Sequence, residues 1–212
     1  MNGTVASLGE QVDPLSDRVT VDGHPVSIPA RRTYVLMNKP AGVLTAASDD
    51  RGRQTVMAGL KPDLGRLFPV GRLDLDSRGL LLLTDDGELA MRLMHPRYHV
   101  EKEYRVLISG RPDADAIRRL QEGMAIGAER FAPIGLEVIE GAEGADEQTL
   151  VRMVLQEGRK REVRRLWGAL GHRVLDLERI RMGPLTLGSL ESGATRGLAS
   201  REVAALRASV GL

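Results

Sequence analysis

Asp74 is the residue of this chain whose neighbours best equip it for chemistry. It lies in Gly71-Arg-Leu-Asp-Leu-Asp-Ser-Arg-Gly-Leu-Leu-Leu-Leu-Thr-Asp-Asp-Gly87, where a turn carrying Arg72 and Asp74 runs directly into an apolar stretch, residues 80–83. A short apolar run bounded by Gly and Asp-Asp-Gly reads as a central strand. A turn braced by such a strand holds a carboxylate still, and a fixed carboxylate can attack carbon as a nucleophile or remove a proton as a base. Without its surroundings, an Asp beside a turn is more often an Asx-turn or a helix cap. The stretch also half-imitates a calcium loop, with acids at Asp74, Asp76 and Asp85 and a glycine at Gly79. Arg78 stands where a ligand belongs, Asp85 replaces the bidentate Glu, and Pro69 and Gly71 deny it a leading helix, so no metal is expected. His95 and His172 likewise lack partners at metal-ligand spacing.

Charge points to a partner for this turn. The formal net charge is only +1, but from Gly158 to Arg181 eight Arg or Lys face only Glu162, Asp176 and Glu178. Residues 137–147 reverse the sign, with five acids and no base. A dense basic block after a glycine suits an anionic ligand. Within it, a helix over 161–170 would set Arg161, Arg164 and Arg165 on one side and Val163, Leu166, Trp167 and Leu170 on another. The basic side would offer cations to phosphate, and Trp167, among the apolar positions, belongs to the core.

The elements that must position these groups follow from periodicity. Helices are expected at 87–94, 113–122, 161–170 and 200–208, with Asp113 and Ser200 as N-caps. Strands are expected at 33–38, 80–84, 102–109, 134–139, 149–155 and 174–182, with a small hairpin at 19–26 turning at Asp22-Gly23 and a hairpin loop at 140–148. Strict βαβ alternation is missing, so an α+β fold is preferred to a doubly wound one. The chain divides into residues 1–30, Gly-, Asp- and Val-rich without helical period, and a main body, 31–212. Its 42% hydrophobic and 28% charged residues are ordinary for a soluble protein. No apolar run could span a bilayer and no secretion signal opens the chain. The absence of Cys excludes disulfides and suits the cytoplasm, the expected location.

Several blocks together resemble the bacterial pseudouridine synthases of the RsuA/RluB family. Besides the turn itself, they are Tyr34-Val-Leu-Met-Asn-Lys-Pro-Ala-Gly-Val-Leu-Thr45, Phe68-Pro-Val-Gly-Arg-Leu-Asp74, His95-Pro-Arg-Tyr-His-Val-Glu-Lys-Glu-Tyr-Arg-Val106, Glu157-Gly-Arg-Lys-Arg-Glu-Val-Arg-Arg-Leu-Trp167 and Leu177-Glu-Arg-Ile-Arg-Met-Gly-Pro-Leu-Thr-Leu-Gly188. They occur in the family's order across residues 33–207, with Ser77 where Thr is usual. The resemblance implies a mostly antiparallel sheet with a central cleft, and isomerisation of uridine to pseudouridine in ribosomal RNA by a monomer without cofactor. It assigns the catalytic carboxylate to Asp74, the base-stacking aromatic to Tyr104, the cation paired with Asp74 to Arg159, and to Arg72 the filling of the space left by a flipped-out nucleotide. Tyr34 and Tyr98 lack the matching context and are expected to be structural. Large-subunit (23S) RNA is preferred as substrate, with 16S RNA and a catalytically silent RNA-binding protein as alternatives. Residues 2–23 resemble the C-terminal half of an S4-type RNA-binding domain whose helical half is missing, or else a hairpin capping the main sheet.

Overall fold

The computed structural model describes residues 1–13, 16–26, 31–141 and 147–212. They form two compact units, Met1–Arg32 and Thr33–Leu212. The first contains the expected hairpin, β1 (Thr20–Val21) and β2 (His24–Pro25), whose turn has positive φ at both Asp22 and Gly23. Only this pair of left-handed residues matches the twist of so tight a hairpin. Asn2 ties the start of the unit to Asp17 and Arg18 at 2.8 Å each.

The second unit begins with β3 (Tyr34–Lys39), β4 (Phe68–Pro69), β5 (Arg78–Thr84) and α1 (Gly87–Met94). There follow β6 (Lys102–Ser109), α2 (Ala114–Glu122), the short hairpin β7 (Met124–Ile126) and β8 (Glu129–Phe131), β9 (Gly135–Gly141), β10 (Gln148–Leu155) and α3 (Glu162–Ala169). β11 (Val174–Met182), β12 (Leu185–Thr186), β13 (Thr195–Gly197) and α4 (Ser200–Ala208) complete it. The main sheet runs β13-β3-β5-β11-β6-β10-β9, and only the central β5–β11 pair is parallel. The architecture is thus α+β and mostly antiparallel. Of the expected loop over 140–148, residues 142–146 lie outside the described residues.

Helix starts follow the local chemistry. Asp86 accepts from Leu89 N at 3.1 Å and Asp113 from Ala116 N at 2.7 Å, each satisfying an orphan donor of the first turn. Ser200 is not the N-cap of α4 but its first residue. Ala199 takes the cap position, and Glu202 at the third helical position reaches back to accept from Ala199 N at 2.8 Å, the carboxylate half of a capping box.

The register aligns one row of residues across the sheet centre: Lys39 opposite Gly79, Gly79 opposite Arg179, Arg179 opposite Tyr104, and Tyr104 opposite Met153. Side chains directly opposite share a face, so this row floors one face, here called the cleft face. To one side of it Val35, Met37, Leu81 and Leu83 pack under Val43, Val56 and Leu67. To the other side Val106, Val151 and Met153 pack under Val163, Leu166 and Trp167 of α3. Trp167 is wholly buried, its Nε1 3.0 Å from Met153 Sδ.

On the reverse face, Leu36, Leu80 and Leu82 are covered by Leu89 and Leu93 of α1 and Leu206 of α4. The remainder of that face is a lattice of ion pairs. Arg78 meets Asp176 at 2.7 Å and also Glu178, and Glu178 in turn accepts from Arg105. Arg181 meets Glu103 at 2.7 Å and Glu101 at 3.0 Å, while Arg152 lies 3.2 Å from Glu137.

Candidate active site

The turn bearing Asp74 is held from both sides. Thr45 Oγ1 donates to Leu73 O at 2.8 Å, Gly42 N to Leu75 O at 2.7 Å, and Ser77 N closes the turn on Asp74 O at 3.1 Å. Lys39, wholly buried, donates from Nζ to Ser77 O at 2.7 Å and Pro40 O at 2.9 Å. Burial lowers the Lys39 ammonium to about 8, although the charges of Asp76 and Asp74 pull it upward. Leu73 drops into the core cluster that also holds Tyr104, while the Asp74 side chain stays 35% exposed.

Among the described residues Arg161, not Arg159, pairs with Asp74. Arg161 Nη1 lies 3.8 Å from Asp74 Oδ2 and 3.3 Å from Asp76 Oδ1. Arg164 joins them, with Nη2 3.0 Å from Asp76 O and 3.3 Å from Asp76 Oδ2. Burial would raise the Asp76 carboxyl, but the hydrogen bond from Arg161 and the charges of Arg164 and Arg161 lower it overall. Arg159, the cation expected there, does not face Asp74 in this structure. Arg159 turns to the β7–β8 hairpin, pairing with Glu157 and Glu129, donating to Arg130 O at 3.1 Å and lying over the Phe131 ring at 5.1 Å.

Arg165 makes the same turn, 2.6 Å from Glu129 and 4.6 Å above Phe131, so it does not share a face with Arg161 and Arg164. The physical reason is local. Arg161 is the N-cap of α3 and adopts a left-handed conformation, φ 53°, which a bulky residue rarely holds. Helical spacing therefore cannot be counted from Arg161, and its side chain leaves toward the Asp74 turn instead of along the helix. Glu162, buried behind it, accepts from Arg159 N at 3.1 Å, and burial raises its carboxyl. Strained residues that survive folding concentrate where function requires them.

Tyr104 is only 8% exposed, and no described residue hydrogen-bonds its hydroxyl. Tyr34 contrasts with it, donating to Asp86 Oδ2 at 2.8 Å, with burial first among the causes that raise its phenol. The Tyr98 ring is held under the Arg97 guanidinium at 4.7 Å. Arg72 is exposed, without a hydrogen bond or ion pair among the described residues, next to the half-buried Gly71 and Asp74.

Two cations beside Tyr104, one buried and one half-buried, escaped the sequence reading. Arg179, 2% exposed, spends Nε on Leu80 O at 2.8 Å, and its Nη2 is sealed without a described partner. Lys102 donates to Val100 O at 3.0 Å and Gln156 O at 3.2 Å, and burial, aided by the charge of Arg179, lowers it to about 8. The alternation Lys102, Tyr104 was the available signal, since it puts the lysine on the tyrosine's face. No three His, Asp or Glu side chains among the described residues are placed to share an ion.

The mixed α+β sheet thus sets a carboxylate on a braced turn against a guanidinium, with an untied tyrosine on β6, two strands from β5. Residues 33–168 match the sequence pattern of the RNA pseudouridylate synthase family. An uncharacterized RNA pseudouridine synthase of Aquifex aeolicus is 43% identical, the match covering 100% of this chain and 84% of that protein. The ribosomal large subunit pseudouridine synthase B of Bacillus subtilis is 38% identical over 98% of this chain and 84% of its own length. A crystal structure of a pseudouridylate synthase superposes with a TM-score of 0.76 at 30% identity, covering 97% of this chain and 86% of that one. The chain belongs to the RNA pseudouridylate synthase family and is thereby an isomerase.

Proposed function

We propose that the chain converts a specific uridine of 23S ribosomal RNA to pseudouridine, with Asp74 as the attacking or proton-removing carboxylate. The observation that carries this reading is the partly exposed Asp74 carboxylate, held by its turn and faced by Arg161. The name of the Bacillus subtilis relative supports the large-subunit substrate. In the reaction the bond from ribose C1′ to N1 breaks, with its electron pair leaving on uracil. The base turns, C5 bonds to C1′, the C5 proton is lost and N1 gains one. Asp74 takes the ribose side of this exchange. Tyr104 holds the freed base by stacking, its untied phenol facing the C5 step, and entry of the base requires Leu73 and Tyr104 to part. Arg72, free of partners, enters the space of the flipped nucleotide. The first unit, S4-like in sequence, adds RNA contacts, and the protein works as a cytoplasmic monomer. No helix among the described residues is long and apolar enough to cross a membrane.

The test is to map pseudouridine in ribosomal RNA from cells with the gene, without it, and with Asp74→Asn in its place. One 23S site should vanish in the last two and return with the wild-type gene. A 23S pattern unchanged by deletion would remove the substrate assignment, and modification by purified Asp74→Asn would remove Asp74 from the mechanism.

A further inference from the structure

A groove of about 410 Å³ opens along the outer side of α3, lined by Arg161, Arg164, Gly168, Gly171, His172 and Arg173. With Val174, these make seven lining residues, of which four carry a cation or an imidazole and none is acidic. The two glycines leave open space where side chains would stand, so a polymer backbone could approach the main chain closely. One end of the groove is continuous with the catalytic turn, because Arg161 and Arg164 both grip Asp76, two residues beyond Asp74.

The cations are not equally committed. Arg161 and Arg164 are partly neutralised by Asp76, and Arg164 also donates to Val174 O at 3.0 Å. Arg173 is exposed, and its side chain makes no hydrogen bond or ion pair among the described residues; only its backbone N is engaged, with Ser109 Oγ at 2.9 Å. His172 Nδ1 lies 2.8 Å from Ser109 O, which fixes its hydrogen there and leaves Nε2 as the ring's uncommitted polar atom. Its ring stands edge-on to Trp167, with centroids 5.8 Å apart.

We infer that this groove is a phosphodiester track. It takes the RNA backbone flanking the flipped nucleotide, entering at Arg173 and His172 and ending at Arg161 beside Asp74. The inference rests on the synthase reading, whose expected cation face of Arg161, Arg164 and Arg165 it revises: Arg165 leaves the track, and His172 and Arg173 join it. Cationic side chains over open backbone suit phosphates, which position a nucleic acid without reading its sequence.

Salt-titrated binding of a fluorescent 20-nucleotide oligouridylate tests the track independently of turnover. Each neutralised phosphate contributes roughly 0.7 to the slope of log affinity against log salt for single strands. Arg173→Gln should flatten the slope by about that amount, Arg173→Lys should retain it, and Arg201→Gln, on exposed α4, should leave it unchanged. A wild-type slope in Arg173→Gln, or an equal loss in Arg201→Gln, overturns the groove. A wild-type protein that binds the oligonucleotide with these slopes but forms no pseudouridine in unmodified 23S ribosomal RNA would sink the 23S reading and leave the groove standing.

Discussion

The two faces of the central sheet treat charge in opposite ways. On the reverse face every cation of the lattice meets a carboxylate: Arg78 with Asp176 and Glu178, Arg105 with Glu178, Arg181 with Glu103. On the cleft face the buried Lys39 and Arg179 and the half-buried Lys102 hydrogen-bond only to backbone carbonyls, and Asp74, Asp76 and Glu162 act on the two lysines only through charge at longer range. Buried cations without a directly bonded carboxylate are costly to hold. One face closes its charges by direct ion pairs, and the other holds its cations on the main chain.

The row across the cleft floor is the most fragile element of that contrast. Gly79 has φ +105°, and a Cβ there would lie 2.3 Å from Arg179 O. Gly79→Ala should therefore cost more than about 2 kcal/mol through left-handed strain and the clash together, read as a fall in the urea midpoint. An unchanged midpoint would mean that β5 and β11 are less tightly apposed than the register demands.

Removing a cation separates the site from its surroundings. Arg161→Gln should slow single-turnover pseudouridine formation about ten- to hundredfold, the scale of one charge-assisted contact. Arg159→Gln, tied to Glu129 and Glu157, should change it less than about threefold. Equal losses in both would return Arg159 to the catalytic pair. On the reverse face, Glu178→Gln should lower stability by about 1–3 kcal/mol, because Arg78 and Arg105 lose their shared carboxylate. Its turnover at saturating RNA should match wild type, and a large rate loss would show that the two faces are coupled.

The smallest effect is a pH dependence. Lys39 and Lys102 are lowered to about 8 from the ordinary 10.5. Between those values the unfolded chain binds more protons than the folded one, so these groups make stability rise with pH across that window; below it their burial cost is fully present. Lys39→Met should flatten the rise in urea midpoint between pH 8 and 10. An equally steep rise would place the titration elsewhere.

Much of this was legible in the residues. The run Leu80–Leu83 and the spacing of Gly87–Met94 carry their periods openly, whereas the turn signal at Asp74 alone suits an Asx-turn, and only the resemblance of the flanking blocks singled it out. Arg161 was misread because a left-handed N-cap is invisible in a helical pattern that continues through it. The partners that capture Arg159 and Arg165 sit on β7–β8, strands of three residues each, too short to show a period. Lys39 read only as the residue that follows a strand, and its Nζ is engaged by Ser77 O, 38 residues away, which no local pattern encodes.

The chain contains a single tryptophan, and its position makes it a native optical reporter. Trp167 is sealed between the core sulfur of Met153 and the imidazole of His172, whose other neighbour is the basic groove. Emission from an indole so enclosed is shifted to short wavelength in the folded chain. It also senses any rearrangement of that imidazole, so RNA arriving along α3 can be followed by intrinsic fluorescence without a label.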